Sequence, residues 1–185
     1  MRRVIGICLA LVCFGVFAAA YASAQNEPKD EPKRGPSTKE ERQRFVALTR
    51  KLETTPLDKS LYQDKTWGKV WLDAVPDINV TICPLVFGED FLASRYKYAP
   101  QLSYQVTFAS AVYIIEHPDK AKDTLAQYTA GVESALKAYK AILKSEPEAK
   151  SKSLDDLVEK QGQGKLAEFV REAAKDCDEK KEQGL

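Results

Sequence analysis

Sulfur and imidazole are the scarcest reactive groups in this chain: four cysteines, Cys8, Cys13, Cys83 and Cys177, and one histidine, His117. No CxxC occurs, so dithiol redox catalysis lacks its motif; neither Cys83 nor Cys177 has a neighbour at metal-ligand spacing, and a histidine-based zinc site would need further ligands at suitable spacing from His117. His117 lies in IIEHPDK just before a proline, where an imidazole meets the open carbonyls of a helix end. A catalytic serine or cysteine would need a base and a turn such as GxSxG to present it, and the chain has no such turn. Adjacent acids, Glu89 with Asp90 and Asp155 with Asp156, point to different sides of a helix and do not make an acid-base pair. No glycine-rich loop follows a strand to cradle phosphate. These residue types assign no catalytic group, no metal site and no cofactor, and they weigh against an enzyme.

What the cysteines can do depends on the compartment. Residues 1 to 24, MRRVIGICLALVCFGVFAAAYASA, carry two arginines, an uncharged apolar run from Val4 to Ala20 and the small triplet Ala22, Ser23, Ala24. That is the layout of a cleaved secretory signal peptide, with an uncleaved membrane anchor as the rival reading of the same run. Cleavage removes Cys8 and Cys13, leaves no stable membrane insertion, and places the protein in a periplasmic or extracellular setting. Two cysteines that remain in an oxidising compartment are expected to pair. A Cys83–Cys177 bridge would contribute about 4 kcal/mol by restricting the unfolded chain. Free thiols at either position are the competing reading. Asn79, Val80 and Thr81 form a glycosylation sequon that has meaning only in a eukaryotic secretory pathway.

Charge narrows the partners. Losing Arg2 and Arg3 takes two from the 28 basic residues set against 27 acids, a net of about −1. Such a balance supplies no field for a phosphate backbone, so nucleic acid is not expected as a partner.

Residues 25 to 36, QNEPKDEPKRGP, combine prolines with charges of both signs and have no large apolar side chain, which reads as a disordered linker; the tail from Asp178 to Leu185 reads the same way. Between them, residues 37 to 177 read as a single helical domain. Ser37 with Glu40 suggests a capping box ahead of Phe45, Leu48 and Leu52, on a helix that stops before Pro56. A second helix is expected over residues 58 to 75, with Leu61, Trp67, Val70, Trp71 and Ala74 on its buried side. INVTI, residues 78 to 82, alternates like a strand, and without a partner would be an extended connection ahead of Cys83. LSYQVTF, residues 102 to 108, also alternates, but its apolar run continues to Ile115 and is rich in alanine, which favours a helix.

The strongest pattern covers residues 119 to 147. Leu125, Tyr128, Val132, Ala135, Tyr139 and Ile142 recur at three and four residues, acids stand at the start and lysines at the end, and Gly131 in the middle implies a closely passing neighbour. Helices near 101 to 116 and 120 to 145 would form an antiparallel hairpin across EHPDK. Ser153 is expected to cap a further helix, Gly162 and Gly164 to interrupt, and Leu166, Phe169, Val170 and Ala173 to define the last helix, leading to Cys177. Within this region ALKAYKAILKSEP resembles the second helix of a tetratricopeptide repeat, with Ala135, Tyr139 and Pro147 at that family's spacing. The resemblance covers about a dozen residues, has no second copy in the chain, and implies a helix hairpin without implying binding residues. The fold class expected is all-α: a small antiparallel bundle of five to six helices with one disulfide.

A stretch from Phe87 to Tyr113 gathers aromatic residues, and SRYKYAPQ mixes them with cations. Tyr96, Tyr98 and Arg95 are the candidate recognition residues, because exposed tyrosine and arginine dominate binding surfaces. The competing reading is that these tyrosines edge the core. The function expected is an exported, non-enzymatic interaction module, an adaptor or inhibitor with an unknown protein partner. The alternative is a carrier of a small apolar ligand, held in an enclosed cavity lined by Trp67, Trp71 and Phe108.

Overall fold

A computed structural model describes residues 34–88, 91 and 95–182. The signal-peptide reading, most of the linker, the Glu89–Asp90 pair and the last three residues of the tail lie outside the described residues. Among those described there are six helices and no strand: α1 (Lys39–Thr54), α2 (Tyr62–Ala74), α3 (Ala99–Glu116), α4 (Thr124–Ser145), α5 (Lys152–Gly162) and α6 (Leu166–Glu182). The all-α bundle expected from the sequence is therefore present. None of these helices is long and apolar enough to cross a membrane.

The hairpin of α3 and α4 is the centre of the bundle. Its antiparallel sense follows from its cross-links: Gln105 reaches Ser134, while Ser110, further along α3, reaches Gln127, earlier on α4. The two helices can approach closely because residue 131 is glycine. A Cβ at that position would lie 2.7 Å from Ser110 Oγ and 2.9 Å from the Val106 carbonyl oxygen.

Two apolar clusters flank the hairpin. On one side Phe45, Leu48 and Leu52 of α1 and Trp71 of α2 pack with Phe108, Ala111 and Val112 of α3. On the other, Leu102 of α3 and Val132, Tyr139 and Ile142 of α4 pack with Leu154 and Leu157 of α5 and Val170 of α6. Because α3 serves both clusters it is apolar nearly all round, as a central helix must be. That double burial is why residues 102 to 108 mimic a strand's alternation.

Helix starts differ from expectation by a residue or two, for identifiable reasons. The N-cap of α1 is Thr38, in a capping box with Glu41, because Ser37 is drawn away to the Asp77 carboxylate by its N–H (2.8 Å) and hydroxyl (2.7 Å). Helix α5 follows Ser151, not Ser153, since the Ser151 N–H is already held by the Tyr139 hydroxyl at 3.0 Å. Asp58 caps a short 3₁₀ turn, Lys59–Leu61, that leads into α2. Asp123 caps α4, accepting from the Ala126 N–H at 3.0 Å.

The buried side of α2 also differs. Trp71 is 2% exposed and packs tilted against Phe45, ring centroids 4.7 Å apart, but Val70 is 62% exposed and Ala74 is also outside. The helix settles instead on Gly68, where an added Cβ would come within 3.0 Å of the Phe108 ring. Residues 78 to 83 form an extended connection with Ile78 and Cys83 turned inward and Asn79 outward. Cys83 bonds to Cys177 on α6 (S–S 2.01 Å, Cα–Cα 5.9 Å). The α6 backbone continues helically to Glu182, five residues into the segment read as a tail.

Candidate functional site

The residues singled out in the sequence are drawn into structural work. The Tyr98 ring is buried, with Lys97 Nζ 4.9 Å from its centroid. Tyr96, half-buried, donates its hydroxyl to the Ala149 carbonyl at 3.0 Å and stands edge-on to Tyr98 and Tyr139. Arg95 is exposed. The three therefore do not share one exposed aromatic patch. The shallow cleft beside them carries Arg95, Lys97 and Lys150 against Glu146 and Glu148, a mixed and solvated rim.

Tyr139 completes this fastening. Its hydroxyl donates to Asp155 Oδ1 at 2.7 Å and accepts from the Ser151 N–H, so the α4–α5 loop is pinned from below. Burial, opposed by the Ser151 N–H and aided by the Asp155 charge, pushes the Tyr139 phenol up to about 12. Burial raises Tyr96 as well, with Tyr139, Tyr98 and Asp155 adding to it. A phenol whose folded pKa exceeds its unfolded value holds its proton more tightly in the native state. Its contribution to stability is complete below pH 10 and is lost between pH 10 and about 12. Tyr139→Phe should therefore flatten the alkaline limb of stability in that window, checked by thermal melts from pH 9 to 12; an unchanged slope contradicts the assignment.

His117 takes the helix-end role expected of it. It stacks on Tyr113 at 4.6 Å, with Nδ1 3.1 Å from the Tyr113 carbonyl oxygen. Asp155 and Asp156 are both on the surface, and Asp155 is occupied by Tyr139. Among the described residues no group of three or more His, Cys, Asp or Glu is placed to hold a metal ion.

Sequence reasoning did not find the polar lock between α1, α3 and α4. Gln105 Nε2 donates to Ser134 Oγ (2.7 Å) and to the Thr49 carbonyl (3.1 Å), and Ser134 donates to buried Glu53 (2.6 Å). Lys137 Nζ stands 3.3 Å from both Glu53 oxygens, and Arg50 is 3.2 Å from one. Every member of this network is engaged. It fixes the register of three helices and offers no open reacting position.

Open apolar surface lies elsewhere, between α2 and α3. A groove of about 260 Å³ has Leu72, Pro100 and Phe108 as its floor, Tyr104 at its rim, and the Lys69–Asp73 ion pair (2.7 Å) with Ser103 and Thr107 along its edges. Across Pro100 and Tyr104 it adjoins a smaller recess of about 70 Å³ bounded by Leu52, Pro56, Lys65, Gln101 and Gln105. Tyr104 is 38% exposed on the ridge between them, and helical spacing sets exposed Tyr62 on the same side of α2 as Lys69 and Asp73. In the recess Gln101 Oε1 is a buried acceptor with no protein donor. Trp67 and Trp71 are not part of the lining. Trp71 is sealed in the core, and Trp67 lies under the Arg44 guanidinium at 3.7 Å. Of the three residues expected to line an enclosed cavity for a small apolar ligand, this open groove includes only Phe108.

No family model, no curated protein and no solved structure matches this chain. The residues of the groove and their chemistry are what bear on its function.

Proposed function

We propose that this protein is an exported, non-enzymatic helical module that binds a segment of another polypeptide in the groove between α2 and α3. The observation that carries the reading is the groove itself: an apolar floor of Leu72, Pro100 and Phe108 with a half-exposed tyrosine on its ridge and the hydroxyls of Ser103 and Thr107 along its edge. Export is supported by the signal-like residues 1 to 24 and by the buried Cys83–Cys177 bridge, which belongs to an oxidising compartment. The tetratricopeptide-like stretch from Ala135 to Pro147 fits the same picture as scaffold, since Ala135 and Tyr139 are wholly buried in the cluster that α4 shares with α3, α5 and α6.

A polypeptide suits the groove better than a small apolar molecule does. At about 260 Å³ and open along one side, it is below the usual size of small-molecule pockets, which bury most of their ligand.

The test places a benzophenone photocrosslinking side chain at Tyr104 or, as a control outside the groove, at Val70, in cells that export the protein. The expected result is a discrete adduct from position 104 only, abolished by adding Ser103→Arg to fill the groove. Equal labelling from both positions, or labelling indifferent to Ser103→Arg, would overturn the reading.

A further inference from the structure

One motif in the sequence stands apart from the groove. Asn79, Val80 and Thr81 match the acceptor signal for N-linked glycosylation, with a residue other than proline in the middle. A buried asparagine, or one bonded within a helix, could not carry a sugar chain without disturbing the fold. Asn79 is neither. Residues 78 to 83 form an extended connection outside any helix, between the end of α2 and the 3₁₀ turn Pro84–Phe87. Ile78 and Cys83 anchor it at 5% and 3% exposure, while Asn79 between them is exposed. Among the described residues nothing bonds to the side chain of Asn79 or Thr81, so neither has a contact to give up. Asp77 shows the contrast, because its carboxylate accepts from Ser37 and Arg42 and ties the chain down two residues earlier.

The order of synthesis also favours the site. Cys177 lies 94 residues beyond Cys83, so an exported chain presents Asn79 before the cysteine that clamps this segment has been made.

We propose that Asn79 carries an N-linked glycan in the exported protein. This lies outside the groove, whose lining includes no residue from 75 to 83, and it rests only on the export part of the function proposed above. A glycan there commits the chain to an export pathway whose transferase reads Asn-x-Thr. The co-reactant is an oligosaccharide carried on a polyprenol diphosphate. Asn79 Nδ2 bonds to the anomeric carbon of the first sugar, the bond from that carbon to the diphosphate oxygen breaks, and the lipid diphosphate leaves with that electron pair. The proton displaced from Nδ2 passes to solvent. The hydroxyl of Thr81 is the part of the signal that selects this asparagine. The product is a bulky, polar group projecting from the surface.

The full chain recovered from the native exported fraction tests this. It is treated with peptide-N-glycosidase in heavy-oxygen water, which turns a glycosylated asparagine into an isotopically marked aspartate, and then digested for mass spectrometry. The expected result is marked aspartate at position 79. Thr81→Ala should leave Asn79 unmodified, and Thr81→Ser should keep the glycan. Both variants should melt within about 3 °C of the enzymatically deglycosylated parent, because neither change removes a bond.

Unmodified Asn79 in the native material would overturn the assignment, as would a mark that survives Thr81→Ala. If the unmodified protein begins at Gln25, export stands and only the glycan fails. If it begins at Met1, both fail.

Discussion

Replacing Cys83 and Cys177 together with alanine should lower the unfolding free energy by about 4 kcal/mol, the entropy that a loop of this length returns to the unfolded chain, and the melting temperature by roughly 10 °C. The bridge spans 94 residues of sequence, and both cysteines are buried, at 3% and 7% exposure. The loss should not be uniform. Helix α6 is held by Leu166, Val170 and Ala174 on its inner side and by the bridge near its end, whereas α3 and α4 are buried along most of their length. Hydrogen exchange in the double variant should therefore accelerate first in residues 166–177 and in the turn Pro84–Phe87 that packs on α6. The hairpin of α3 and α4 should keep its protection. Chemical denaturation with exchange mass spectrometry checks both parts, and a variant as stable as the parent would show that the bridge does not restrain the unfolded chain.

Gly131→Val should be the most damaging single substitution in the hairpin, with a cost of 3 kcal/mol or about that. Even alanine should destabilise, against the gain of about 1 kcal/mol that replacing a helical glycine ordinarily brings. The new Cβ would stand 2.9 Å from the Val106 carbonyl oxygen, which belongs to the α3 backbone and cannot rotate aside. It would also stand 2.7 Å from Ser110 Oγ, and moving that hydroxyl breaks its bond to the Gln127 carbonyl. Gly162→Ala is the internal control. That glycine is also helical and has nothing within 4 Å of an added Cβ, so alanine should be neutral or stabilising there. Equal urea midpoints for Gly131→Ala and Gly162→Ala would contradict the close crossing of α3 and α4.

The contrast between these glycines shows which parts of the fold can be read from sequence. The α4 seam was legible because Tyr128, Val132, Ala135, Tyr139 and Ile142 obey one period, and Gly131 stood out against it. The burial of α2 was not, because its central contact is Gly68, a residue with no side chain to enter an apolar pattern; Val70 fits the period and faces water. Ser134, Gln105 and Glu53 escaped notice for the opposite reason. Each is polar at an inward position, and its partners come from helices far away in the chain.

The tyrosines of SRYKYAPQ were visible by type, but the loop formed by residues 146 to 151 determines where they point. Tyr96 bonds to that loop, and Tyr98 is covered. The groove left no signature at all. Leu72, Tyr104 and Phe108 are ordinary core-forming types, and the gap between them exists only once α2 and α3 are brought together in the fold. The cysteine pairing, by contrast, followed from counting once the first 24 residues were set aside.

Export and the Cys83–Cys177 clamp stand or fall together, because the bridge needs an oxidising compartment. Mass spectrometry of the protein recovered from the native exported fraction, digested without reduction, tests this most directly. It should give an N-terminus at Gln25 and one peptide pair joined through Cys83 and Cys177. An N-terminus at Met1, or both cysteines alkylated under denaturing conditions with no reductant added, would contradict it.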